Sequence, residues 1–258
     1  MLEPELVYSS YPASLRPFRR NLLREYLQCK TLQYLASSAD ADKLIWIGGT
    51  ALRIAYGGDR FSEDLDFDAR GLTDTTFAKM GELVAGRFAL EDVTCQASLR
   101  GEPARTIRLR FPHILQQWRL TRHRDEVLLL KLDAEPQGCA YPVSLFTLNR
   151  LDTFACLPIA PAEVILAQKL VAILRRPRAM GRDFYDAAVL LGRTRPDLEF
   201  LACRLGISAP DELQRLLLER CQSLDLKALA ADLQPFLADP SLIGRVEAFP
   251  EILRSTLA

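Results

Sequence analysis

Histidine, lysine and clustered cysteine are what this chain has least of. Two histidines and six cysteines over 258 residues include no CxxC pair, so no zinc site is expected. Cys29, Cys95, Cys139, Cys156, Cys203 and Cys221 lie far apart. They read as scattered thiols of a reducing compartment, which makes the cytoplasm the expected location. No run approaches 18 uncharged apolar residues, so no membrane span and no membrane partner are expected. The opening MLEPELVYSSYPASLRPFRR has no apolar stretch between its charges, and no secretory signal is expected from it. With 49% hydrophobic and 26% charged residues, disorder and collagen-like repetition are excluded, and the length suits one large domain or two modest ones.

Net charge is zero, yet 27 of the 33 basic residues are arginine. Between Arg100 and Arg124 stand seven arginines (100, 105, 108, 110, 119, 122, 124) against one acid, Glu102. Forked guanidinium groups at that density suit a phosphate-bearing partner. A general preference for arginine on every surface would give the same count, and composition alone leaves both readings open.

The first part of the chain mixes periodicities. Leu22, Leu23, Tyr26, Leu27, Leu32 and Leu35 predict a helix over roughly 15–36. The β-rich run 43–47 follows, stopped by Gly48-Gly49-Thr50, and a short helix over 51–56 is closed by Gly57-Gly58. Leu65 and Phe67 alternate with Asp64, Asp66 and Asp68, the pattern of a strand with one apolar and one acidic face. Further strands are predicted over 91–97, 106–110 and 127–133. From Pro161 the pattern turns helical, with segments near 164–174, from 182, and over 197–205, 210–221, 225–237 and 247–257. The expected architecture is therefore α+β: a mixed-sheet domain with an N-terminal helix over 1–158, and a helical domain over 159–258.

Chemistry concentrates between residues 48 and 66. Asp64 and Asp66 are two apart, so in a strand both carboxylates leave one face. Convergent carboxylates repel unless a cation bridges them, and hard oxygen donors favour Mg²⁺. Upstream, a Gly-Gly turn opening a helix lets backbone N–H groups approach a phosphate. A lone DxD on an acidic edge strand would mean little. The order strand, GGT, helix, DLDF means more.

The segment IGGTALRIAYGGDRFSEDLDF resembles the signature of the AbiEii/AbiGii toxin family of nucleotidyltransferases, a branch of the DNA polymerase β-like superfamily. A second block is similar too: Lys169 on one helix, then Arg182-Asp183-Phe184-Tyr185-Asp186 on the next. The resemblance implies a polymerase-β-like nucleotidyltransferase domain followed by a helical bundle that closes the active-site cleft. It implies a pair of Mg²⁺ (or Mn²⁺) ions on Asp64, Asp66 and a third carboxylate from a later strand. Asp133 is the candidate, because Leu128, Leu130 and Leu132 make one apolar face and leave Lys131 and Asp133 on the other. An ordinary aspartate at a strand end would read the same way.

Lys169 is the one charge between Val164 and Leu174. It either snorkels to the surface or meets a negative charge, and the resemblance implies a nucleotide phosphate. Asp183 and Asp186 share a helix face; the resemblance puts one of them near Lys169, with Asp183 preferred, although Asp183 also suits a first helical turn. Gly48, Gly49, Thr50, Arg60 and Ser62 are the remaining candidates for holding phosphates. Arg60 has the alternative of pairing with Asp59 or Glu63, and Ser62 of shaping a turn. The implied activity is metal-dependent transfer of a nucleoside monophosphate from an NTP to an acceptor hydroxyl, with RNA, at the tRNA 3′ end, as acceptor. The implied setting is a bacterial toxin–antitoxin or phage-defence pair with a separately encoded antitoxin. Two alternatives stay open: transfer to a small molecule or protein, and NTP sensing without turnover.

Overall fold

The computed structural model describes residues 1–100 and 105–257, so Glu102 lies outside the described residues. Contacts divide the chain into two compact units. One comprises Met1–Ala51, Phe61–Gln137 and Ser144–Ile159; the other comprises Leu52–Arg60, Gly138–Val143 and Ala160–Ala258.

The first unit is built on a seven-stranded mixed sheet. Its chain begins with α1 (Pro4–Ser9) and α2 (Arg19–Ala36), then β1 (Leu44–Ile47) and the start of α3 (Gly48–Ile54). After β2 (Leu65–Ala69) come α4 (Asp74–Ala89), β3 (Gln96–Arg100), β4 (Arg105–Phe111), α5 (Ile114–Gln117), β5 (Leu128–Glu135), β6 (Ser144–Arg150) and β7 (Thr153–Ile159). The spatial order is β3-β4-β5-β2-β1-β7-β6. β1 pairs antiparallel with β2 and parallel with β7, and β2 pairs parallel with β5.

Alternation decides which face of the sheet is covered. Leu128, Leu130, Leu132 and Ala134 of β5 are buried, as are Ile107, Leu109 and Phe111 of β4. Helices α2 and α4 pack on the sheet, α4 burying Phe77, Met80, Val84 and Phe88. Each fully buried leucine or phenylalanine contributes about 1.5–3 kcal/mol. The other side of β3, β4 and β5 carries Ser98, Arg108, Arg110, Lys131 and Asp133, all at least partly exposed. This is the division that the leucine pattern of residues 128–132 predicts.

Several expectations are corrected. The strand expected over 91–97 starts only at Gln96, because the chain turns at Asp92, whose φ is +59°. The hairpin β6–β7 is additional to the predicted strands. The expected 15–36 helix starts at Arg19.

The second unit is helical: α6 (Ala162–Arg175), α7 (Gly181–Leu191), α8 (Leu198–Leu205), α9 (Pro210–Gln222), α10 (Leu226–Ala231), α11 (Gly244–Glu247) and α12 (Phe249–Thr256). α6 packs on α7, α8 and α9, while α7 also meets α10, α11 and α12. Gly181 opens α7 directly beneath the backbone of α10; a Cβ there would lie 1.9 Å from the carbonyl oxygen of Leu229. Within this unit Cys139 and Cys203 form a disulfide. That corrects the reading of all six cysteines as isolated thiols: the two are 64 residues apart in sequence, and the fold brings their Cα atoms to 6.1 Å. No described helix is long and apolar enough to cross a membrane.

Candidate active site

In the sheet unit, register brings the acidic residues together. Asp66 of β2 is the direct partner of Asp133 in the parallel neighbour β5. Paired residues on adjacent strands project to the same face, about 5 Å apart. Asp133 is in turn opposite Thr106 of β4, whose hydroxyl donates to Asp133 Oδ1. Asp64 immediately precedes β2, and its Oδ1 lies 3.9 Å from Lys131 Nζ. All three carboxylates are half-buried. Asp68, next along the same face, is buried and accepts a hydrogen bond from the Gln137 amide at 2.8 Å, which ties it to the fold.

The GGT turn is fitted to these aspartates. Ile47 pairs with Asp66 at the end of β1. Gly48 then takes a φ of +80°, and a Cβ at that position would lie 2.1 Å from Asp66 Oδ2. Only glycine lets the carboxylate rest against the backbone there. Thr50 is fully buried, and its hydroxyl donates to the backbone carbonyl of Asp64. The threonine therefore fixes the residue just before β2. Ser62 lies ahead of β2 in a loop, where its carbonyl, with that of Glu63, accepts from Gln28 Nε2.

Among the described residues, no group of three or more His, Cys, Asp or Glu is gathered so as to hold a metal ion. The donor chemistry of Asp64, Asp66 and Asp133 nonetheless fits a hard divalent cation. Mg²⁺ commonly takes one or two carboxylates and completes its octahedron with water and substrate phosphate, without a closed protein cage.

The helical unit holds the other predicted residues in a buried ionic cluster. Arg60 pairs with Asp186, Nε to Oδ1 and Nη2 to Oδ2, both at 2.6 Å. Lys169 Nζ lies 2.9 Å from Asp186 Oδ2 and 3.1 Å from Asp183 Oδ1, and Arg176 Nη1 lies 3.0 Å from Asp183 Oδ2. Lys169 thus meets negative charge and does not snorkel. Burial penalises its ammonium, but Asp186 and Asp183 outweigh that and raise its pKa. Burial likewise disfavours the Asp186 carboxylate, while Arg60 and Lys169 hold its pKa below the ordinary range.

Beside it sits a second group that sequence reasoning missed. Tyr185 donates its hydroxyl to Asp59 Oδ1 at 2.6 Å, and Arg245 Nη1 donates to Asp59 Oδ2 at 2.6 Å and to the Tyr185 oxygen at 2.8 Å. Arg245 is 186 residues from Asp59, so no local pattern signals it. Thr106 was within reach, since strand alternation places it opposite Asp133.

Two solved structures from Helicobacter pylori share the fold. JHP933 is 21% identical, with a TM-score of 0.55 over 92% of this chain and 91% of its own. A candidate nucleotidyltransferase is 20% identical, with a TM-score of 0.58 over 92% and 94%. No curated protein matches the sequence significantly. The family described as nucleotidyl transferase AbiEii toxin, type IV toxin–antitoxin system, matches residues 30–254. The match takes in the GGT turn, the DLDF strand, Lys169 and the Asp183–Asp186 helix, and the chain belongs to that family.

Proposed function

We propose that this chain is a nucleotidyltransferase that moves a nucleoside monophosphate from an NTP to an acceptor hydroxyl of RNA, at the 3′ end of tRNA. The register pairing of Asp66 with Asp133, with Gly48 shaped around Asp66, is the observation that carries this reading. Asp64, Asp66 and Asp133 would hold Mg²⁺ or Mn²⁺. Bound there, the ion would neutralise triphosphate charge and ease ionisation of the attacking hydroxyl.

The chain's own residues supply position and a proton acceptor. The acceptor oxygen forms its bond to the α-phosphorus as the bond to pyrophosphate breaks. Asp133 takes the hydroxyl proton, and the Thr106 hydroxyl steadies the carboxylate that receives it. Gly48 and Gly49 offer backbone N–H groups to phosphate; Ser62 belongs to the same phosphate-holding set, and the buried Thr50 supports it by fixing Asp64. Lys169 has three N–H donors, of which Asp183 and Asp186 take two. We assign the third to a nucleotide phosphate. Asp183 orients Lys169, and Arg60 completes the positive charge around Asp186. Positioning and charge neutralisation are what phosphoryl transfer demands of a protein. Residues 160–258, the bulk of the helical unit, are assigned as the C-terminal domain of this enzyme. Family membership supports a toxin of a toxin–antitoxin pair with an antitoxin as partner; a separately encoded antitoxin and action in phage defence in the cytoplasm are part of the proposal.

The test is incubation of the protein with Mg²⁺, each of four α-labelled NTPs and total bacterial RNA, beside Asp64→Ala/Asp66→Ala. The expected result is label on RNA with the intact chain alone. NTP binding without any pyrophosphate release, whatever the acceptor, would replace this proposal with NTP sensing.

A further inference from the structure

We propose that the open face of β3, β4 and β5 is the track on which the backbone of a single-stranded RNA acceptor lies. This rests on the nucleotidyltransferase reading above and deepens it by naming where the acceptor binds. Strand register sorts the side chains of this face into rows. In one row Gln96, Arg110 and Leu129 stand abreast; in the next, Ser98, Arg108 and Lys131; in the third, Arg100, Thr106, Asp133 and Asp66. Rows are about 7 Å apart and strands about 4.8 Å apart. Two basic rows thus lead, within about 14 Å, to the row that holds the paired aspartates.

Three features make this face unlike an ordinary solvated one. Arg108 and Arg110 are exposed and, among the described residues, have no acidic group at ion-pairing distance. By contrast, Arg105 on the same strand pairs with Asp74 at 2.6 Å. Arg108 and Lys131 are also direct cross-strand partners, and like charges placed opposite each other cost stability, offset here only in part by Asp64 at 3.9 Å from Lys131. A polyanion laid across the two strands removes that repulsion. Finally, basic and acidic groups are ordered along one line: phosphates would sit on the Arg110 and Arg108 rows, and the terminal hydroxyl would reach the row of Asp133. Duplex contact is not required, since the flat pleat offers adjacent phosphates of one strand a row each.

The experiment is fluorescence anisotropy of a labelled single-stranded RNA dodecamer titrated with the full chain between 50 and 200 mM salt. Arg108→Ala/Arg110→Ala is compared with the intact chain and with Arg87→Ala, an exposed arginine on α4. The expected result is binding at least tenfold weaker for the double variant at 50 mM salt. Its salt slope should be shallower by roughly 1.4, from two lost contacts at about 0.7 each on a single strand. Arg87→Ala should bind within twofold of the intact chain. Equal binding and slope for the double variant, equal loss in Arg87→Ala, or no RNA binding by the intact chain would each overturn the track. Label transfer measured in parallel separates the two claims. Transfer to RNA with unaltered binding by the double variant removes the track and keeps the enzyme; track-dependent binding without transfer does the reverse.

Discussion

The open face of the sheet and the ionic cluster of the helical unit treat charge in opposite ways. On the sheet face, like charges are brought together: Asp66 and Asp133 are strand partners, and Arg108 faces Lys131. In the helical unit, opposite charges are matched and sealed, with Arg60 on Asp186 and Lys169 between Asp186 and Asp183. A matched buried pair mainly has to avoid being broken, because removing one partner leaves an uncompensated charge in low dielectric. Convergent like charges gain stability from a ligand of opposite sign. The first arrangement marks where something binds; the second marks what must stay rigid.

That contrast is open to attack, most strongly at Asp186. Asp186→Ala strands Arg60 and Lys169 together, and should cost about 3–5 kcal/mol, read as a lowered urea midpoint. A midpoint change below about 1 kcal/mol would mean the cluster is hydrated and not sealed. Next in size is the disulfide of the helical unit. Reducing Cys139–Cys203, or making Cys139→Ser, should cost about 2–4 kcal/mol, since the bridge closes a long loop. Identical melting with and without dithiothreitol would contradict it.

Gly48→Ala probes the sheet face by shape and not charge. The new Cβ meets Asp66 Oδ2 and sits at positive φ, which should cost about 1–3 kcal/mol and abolish label transfer. Retained transfer would mean the carboxylate need not rest on Gly48. The smallest effect is in acid, at Glu91, a matched site within the sheet unit. Burial alone would raise the pKa of Glu91, but hydrogen bonds from Lys30, Tyr34 and the N-terminus bring it to about 2. A carboxyl with a depressed folded pKa gives stability above its unfolded value of 4.5, lost as pH falls toward 2. Glu91→Gln should therefore lose less stability than the intact chain between pH 4.5 and 2, measured by urea midpoints across that window.

Much of the aspartate-bearing sheet face was legible in the sequence, because it is governed by alternation. Leu65, Phe67 and Leu128–Leu132 state which way each side chain points, and the face of Asp133 follows from them. The helical cluster was half legible: a lone Lys169 in an apolar helix announces a buried partner, and Asp183 and Asp186 share a face. What alternation cannot carry stayed hidden. β6 and β7 expose Leu145 and Phe154 on their outer face and include Pro158, which blurs the two-residue period. The partners Arg60–Asp186, Arg245–Asp59 and Cys139–Cys203 are joined by tertiary folding over 64 to 186 residues, a range at which spacing holds no information.

The most direct test of the division of labour is one paired measurement on Asp66→Asn and Asp186→Asn: urea midpoint and transfer of α-labelled NMP to RNA, side by side. Asp66→Asn should keep the midpoint of the intact chain within about 0.5 kcal/mol and lose transfer by at least a hundredfold. Asp186→Asn should lose the midpoint. An Asp66→Asn chain that still transfers label, or that unfolds as readily as Asp186→Asn, would contradict the account.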